Sequence, residues 1–146
     1  MQEWLELARA KTAAGDELVL RERAGVYEIR CNGWDLMSNR AHASEEAMAR
    51  LALAAIGGRV APKILVGGLG MGFTLRAALD ALDPDARVTV AELNPVVVDW
   101  CRGPLAASTN AAVADPRVTI GSCLLKDVLM TTGTPVMRPN ASITPQ

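Results

Sequence analysis

The chain has 146 residues, half of them hydrophobic and 21% charged, with a formal net charge of −1. That length supports one domain with its own core, and the near-neutral balance gives no electrostatic case for nucleic acid or an anionic membrane as partner. No segment approaches the ~18 consecutive apolar residues of a membrane span, and the first residues lack the basic and apolar regions of a signal peptide, so a cytoplasmic location is expected.

Residues Glu3 to Lys11 predict a short helix, with Trp4, Leu7 and Ala8 on one face. Two strand-like runs follow, Leu18 to Glu22 and Val26 to Arg30, linked through Arg23-Ala24-Gly25. A link ending in Gly suits a hairpin, because Gly takes positive φ at little cost. Asn32-Gly33 is a second tight-turn signal, and Trp34 to Met37 a third strand. Ser44 then reads as a helix N-cap, with Glu45 and Glu46 in the positive first turn. Met48, Leu51, Ala52, Ala55 and Ile56 make an apolar stripe, which Gly57-Gly58 closes.

From Lys63 the order is strand, glycine loop, helix. Ile64 to Gly67 is a buried-strand run, Gly68-Leu69-Gly70-Met71-Gly72 the loop, and Leu75, Ala78, Leu79 and Leu82 one face of the helix. Val88 to Glu92 is the next strand, and Asn94-Pro95 begins a helix with Pro at its first position, where its missing N–H costs nothing. Val96, Val97, Trp100 and Cys101 form that helix's apolar side. Val118 to Ile120 is a third strand behind Asp115-Pro116-Arg117. Strands alternating with helices over short links predict a parallel sheet with right-handed crossovers. Leu124, Leu125, Val128 and Leu129 suggest one more short helix. From Met130 onward Arg138 is the sole charge and three prolines interrupt any pattern, so an irregular tail is expected.

The spacing of the glycines narrows the ligand. A dinucleotide fingerprint needs a third small residue where Phe73 stands, and a phosphate loop needs a Gly-Lys-Ser/Thr that does not follow. Gly68, Gly70 and Gly72 form G-x-G-x-G, which suits a nucleoside without phosphate. Glu92 ends the neighbouring strand, where a carboxylate can accept from both ribose hydroxyls. In an open α/β sheet, ligands sit beyond the carboxyl ends of the strands, where the loop and Glu92 both lie. Such loops also occur where only tight packing is needed. Cys31, Cys101 and Cys123 are odd in number and lack zinc-ligand spacing; they read as reduced structural thiols. With His42 the sole histidine, no metal site is expected.

At this point residues 16 to 120 resemble the spermidine-synthase-like (polyamine aminopropyltransferase) branch of the class I AdoMet-dependent methyltransferase superfamily. The resemblance rests on the hairpin unit with Asn32-Gly33, the helix Glu46 to Ile56, the loop Gly68 to Gly72, the run Ala91 to Pro95, and Asp115-Pro116-Arg117. It implies an α/β, Rossmann-like parallel sheet, incomplete here, preceded by a small antiparallel β-hairpin unit. The expected division is an N-terminal helix and hairpin unit over 1–43, a partial nucleoside-binding domain over 44–129 and the tail over 130–146.

By the same resemblance, decarboxylated AdoMet or AdoMet is bound by Gly68, Gly70, Gly72 and Glu92, with Glu46 facing a polyamine acceptor. The implied activity is aminopropyl transfer. An AdoMet-dependent small-molecule methyltransferase and a non-catalytic fragment or interaction module are the alternatives. Departures are visible: Ser44-Glu45-Glu46 stands where the family has Tyr-His-Glu, Met71 where a loop acid often follows, and Gly121-Ser122 where it has Gly-Asp. Against the seven strands of the full fold only three can be placed, so a truncated or frameshifted product is expected. Its first parallel strand would keep an open edge that invites a homodimer.

Overall fold

A computed structural model describes residues 2–121 and the backbone of Val136 and Met137. Two four-stranded sheets share one hydrophobic core. The first is an antiparallel meander of β1 (Leu5–Lys11), β2 (Glu17–Arg23), β3 (Val26–Cys31) and β4 (Trp34–Ser38), in that spatial order. Leu18, Leu20 and Ile29 point from it into the core and are at most 3% exposed, as the two-residue side-chain period requires.

The segment expected to be an N-terminal helix is β1. Its residues are good helix formers, but the chain pairs with β2 from Leu5↔Glu22 to Lys11↔Glu17, with an irregularity between Glu6 and Ala8. Pairing and burial of Ala8 and Ala10 against the core override local propensity. The β2–β3 turn is tighter than expected. Arg23 pairs with Val26, leaving Ala24 (φ 52°) and Gly25 (φ 79°) as a two-residue turn of the mirror-image kind that suits twisted strands. Asn32 (φ 50°) and Gly33 (φ 82°) repeat it.

Helix α1 (Ala43–Ile56) carries the chain to the second sheet. Its N-cap is His42, not Ser44; Ser44 lies inside the first turn and donates to Glu45 Oε2 at 2.8 Å. Its packed stripe is Met48, Ala49, Ala52, Leu53 and Ile56, turned from the expected one, so that Leu51 is 72% exposed.

The second sheet is parallel, in the order β7-β6-β5-β8, built from β5 (Lys63–Gly67), β6 (Arg87–Ala91), β7 (Val118–Gly121) and β8 (Val136–Met137). Ile64, Leu65 and Val66 of β5 are at most 2% exposed, the continuous apolar reading of a central parallel strand. Helices α2 (Phe73–Ala81) and α3 (Pro95–Arg102) form the crossovers, and two short 3-10 turns (Ala106–Thr109, Ala112–Ala114) lead into β7. In α3 the buried residues are Val97, Val98, Trp100 and Cys101.

The edge of β5 expected to be open is covered. β8, from the segment expected to be an irregular tail, pairs parallel with it at Leu65↔Val136 and Val66↔Met137. The helix expected around Leu124 to Leu129 and the thiol of Cys123 lie outside the described residues. No helix of the described residues is long and apolar enough to cross a membrane.

Candidate functional site

The loop between β5 and α2 turns through three left-handed glycines, Gly68 (φ 91°), Gly70 (φ 57°) and Gly72 (φ 91°). Side chains are strained in that region. At Gly72 a Cβ would also come within 3.3 Å of Thr109 Cγ2, and at Gly70 within 3.6 Å of Met37 Sδ. The G-x-G-x-G spacing is thus a backbone requirement of this turn. The loop is held by hydrogen bonds both within itself and to its surroundings. Gly68 N–H donates to Ala91 O (2.8 Å) and Gly72 N–H to Leu69 O (3.0 Å). The Cys101 thiol reaches Gly70 O at 3.3 Å.

Glu92 stands beside this loop at the end of β6, 8% exposed. One carboxylate oxygen accepts from Leu69 N–H at 2.9 Å and the other from Asn94 N–H at 2.8 Å. The side chain therefore joins the glycine loop to the start of α3. An ionised carboxylate offers about four acceptor sites, so each oxygen keeps one for another donor. Cys101, buried behind the loop, has its thiol pushed up to about 12 by burial and, secondarily, by the Glu92 charge. It stays protonated at neutral pH and can keep donating to Gly70.

The two acids at the start of α1 part company. Glu46 bonds His42 Nδ1, and both line a groove of about 470 Å³ with Arg50, Phe73, Arg76 and Asp80. The His42 ring stacks on Phe73 with centroids 4.2 Å apart. Glu45 lines a different space, a cavity of about 20 Å³ against the glycine loop, with Met37, Ser38, Gly70, Met71 and Thr74 in its wall. Phe73 borders both spaces. Glu92, Gly68, Gly70 and Gly72 are thus brought together, whereas Glu46 sits across Phe73 from the loop cavity.

Sequence reading overlooked Ser38, Glu45 and Thr74. For Glu45 a signal existed: it immediately precedes Glu46, and helical geometry sends consecutive residues to different faces. Nothing local marks Ser38, which reaches the loop only through tertiary packing, or Thr74, which follows Gly72 by two residues in the first turn of α2. Among the described residues no group of three or more His, Cys, Asp or Glu side chains could hold a metal ion.

At the far end of α2, Arg117 donates from one guanidinium nitrogen to Leu79 O (2.9 Å) and Leu82 O (2.8 Å). It also grips both carboxylate oxygens of Asp115. Those bonds cap carbonyls at the helix end, where Leu79 O otherwise has only a long 3.4 Å bond from Leu82 N–H. Hydrogen bonding from Arg117 pulls the Asp115 carboxyl down to about 2.

No protein-family model matches the chain, and no curated protein sequence does either. Solved structures do match it. The fold superposes on spermidine synthase from Thermotoga maritima with a TM-score of 0.76 at 17% identity, over 95% of this chain and 48% of that one. A spermidine synthase in complex with the transition-state analogue AdoDATO gives 0.76 at 17% identity, over 92% of this chain and 47% of that one. A probable spermidine synthase from Corynebacterium glutamicum gives 0.61 at 19% identity, over 95% and 54%. The chain has a spermidine-synthase-like fold and spans about half the length of these structures.

Proposed function

We propose that the chain is the nucleoside-binding part of a spermidine-synthase-like aminopropyltransferase that takes decarboxylated AdoMet as donor and a polyamine as acceptor. The observation that carries this reading is Glu92. It is buried at the carboxyl end of β6, fixed by two backbone N–H groups, and shares Leu69 with the glycine loop. Its free acceptor sites suit two neighbouring ribose hydroxyls, and Gly68, Gly70 and Gly72 let the backbone lie close to the sugar. The neighbour that holds an AdoMet-derived analogue supports the ligand class.

In the reaction, a neutral amine nitrogen attacks the carbon beside the sulfonium. A C–N bond forms, the C–S bond breaks, methylthioadenosine leaves, and the amine's proton passes to a carboxylate. In the groove, Glu46 is the carboxylate an amine acceptor would meet, in exchange for its bond to His42 Nδ1, since Asp80 is paired there with Arg76. A methyltransferase on the same scaffold is the second reading, favoured by Met71 and by Ser44-Glu45 in place of the family's Tyr-His.

Calorimetric titration with decarboxylated AdoMet, AdoMet and methylthioadenosine tests both. Decarboxylated AdoMet is expected to bind most tightly, and a preference for AdoMet would establish the methyltransferase reading. Glu92→Ala, checked for folding by thermal melting, should weaken binding at least about tenfold, since a charge-assisted bond contributes ~1.5–3 kcal/mol. Unchanged affinity in a folded variant would overturn the assignment.

A further inference from the structure

The glycine loop and Glu46 lie on opposite sides of one side chain. Phe73 opens α2 directly after Gly72, and its half-buried ring borders both the loop cavity and the groove that holds Glu46. Transfer between a donor on the loop and an amine on Glu46 requires the reacting atoms to come within about 3–3.5 Å of each other. Where the ring stands, it keeps the two spaces apart.

The ring has a partner on the groove side. His42 stacks on it with centroids 4.2 Å apart and planes at 14°. His42 Nδ1 is in turn bonded to Glu46 Oε1, and a nitrogen facing a carboxylate is the donor. The His42 and Glu46 side chains are 38% and 46% exposed, so their bond is of the weak, readily exchanged kind. An ammonium carries three donors on a full charge, and outcompetes a single ring N–H for that carboxylate. Phe73 itself can respond, because a helix leaves a long side chain two staggered χ1 positions, and a turn between them moves no backbone.

We propose that Phe73 is a movable wall between donor and acceptor, and that His42 is the positioning residue that holds it closed until an amine occupies Glu46. The arriving ammonium takes the carboxylate from His42, the freed imidazole leaves the stack, and the Phe73 ring turns to its other position. The loop cavity and the groove then become one space. Such an order has a chemical use: the carbon beside the sulfonium stays screened from water until the acceptor is in place. This rests on Glu46 as the carboxylate that meets the acceptor, and adds the residues that link its occupation to contact with the donor.

The test uses the wild-type chain, whose one histidine and one phenylalanine give single sets of ring signals in NMR. Putrescine should move the His42 ring protons downfield as they leave the face of Phe73, and the Overhauser contact between the two rings should fade. Sodium chloride at matched ionic strength should do neither, and in Glu46→Gln putrescine should leave the stack intact. Separation of the rings by salt, or by putrescine in Glu46→Gln, would overturn the link. Phe73→Ala, checked for folding by thermal melting, should bind putrescine about two- to tenfold more tightly, because no aromatic stack of ordinary strength is then broken. A ring with only a packing role would give no such gain. Putrescine that shifts the Glu46 carboxyl carbon while the rings stay in contact would overturn the wall and leave Glu46 as acceptor site. So would a folded Phe73→Ala variant with unchanged putrescine affinity. A folded wild-type chain in which putrescine alters neither Glu46 nor His42 would overturn the acceptor site at Glu46 and the wall with it.

Discussion

The glycine-loop end of the parallel sheet and the outer face of the antiparallel meander use the same kinds of bond to different effect. At the loop, few polar groups are involved and they are buried: Glu92 accepts two backbone N–H bonds, and the Cys101 thiol meets Gly70 O. On the meander, Arg9 pairs with Glu6 and Glu17, Arg21 with Glu28, and Arg30 with Asp35. Trp4 lies under the guanidinium groups of Arg21 and Arg23 at 4.2 and 4.3 Å. The meander has the longer inventory, but Arg9 and its partners are nearly half exposed. Exposed pairs lose most of their attraction to solvent and salt. A buried bond fixes geometry because its breakage leaves a desolvated group unpaired; an exposed one has water as a substitute.

Three substitutions probe that contrast. Gly72→Ala should have the largest effect, destabilising by about 1–3 kcal/mol in denaturant unfolding, because a left-handed φ of 91° is combined with a 3.3 Å approach to Thr109. A loss below that of an ordinary surface change would show that the loop adapts. The Asp115–Arg117 clamp is intermediate. Its carboxyl titrates at about 2 when folded, against 3.8 for the free group. The stability it adds is therefore fully present above pH 3.8 and lost as pH falls toward 2. Wild type should lose about 1–2 kcal/mol across that window relative to Asp115→Asn; parallel pH profiles would contradict the clamp. Arg9→Ala should leave the thermal midpoint unchanged at moderate salt, and a clear drop would show the meander's ion pairs to matter more than their exposure implies.

The two regions also differ in how far they can be read from the sequence. The loop announced itself because its determinants are local: three glycines at alternate positions, an apolar run before them and an acid closing the next strand. The β5 run was legible for the same reason, since a buried central parallel strand is continuously apolar; β6 and the edge strand β7 showed instead as short β-branched runs, Val88-Thr89-Val90 and Val118-Thr119-Ile120. β1 was not legible. Leu5-Glu6-Leu7-Ala8-Arg9-Ala10-Lys11 consists of helix formers, and only its partner β2, reached through the turn around Gly15, makes it a strand. Leu51 was assigned to the packed stripe by spacing alone, but α1 meets the core along Ala49 and Leu53 instead. The pairing of β8 with β5 joins residues some 70 apart, a relation no local pattern encodes. In the site, Glu92 and the glycines were visible as a strand-end constellation, whereas Ser38, Glu45 and Thr74 come from three elements that meet only on folding.

The Arg117 cap has a mechanical consequence. Helix α2 is held at its C-terminal end by Arg117 and at its first turn by Arg76, which reaches Thr109 O at 3.5 Å. The loop therefore hangs from a strut anchored at both ends, with β5 fixed between two parallel neighbours on its other side. A ligand arriving there has little backbone to displace. Any closing movement falls to the opposite wall, where Met37, Ser38 and Glu45 belong to β4 and to the entrance of α1, segments packed by half-buried side chains rather than by the deep core.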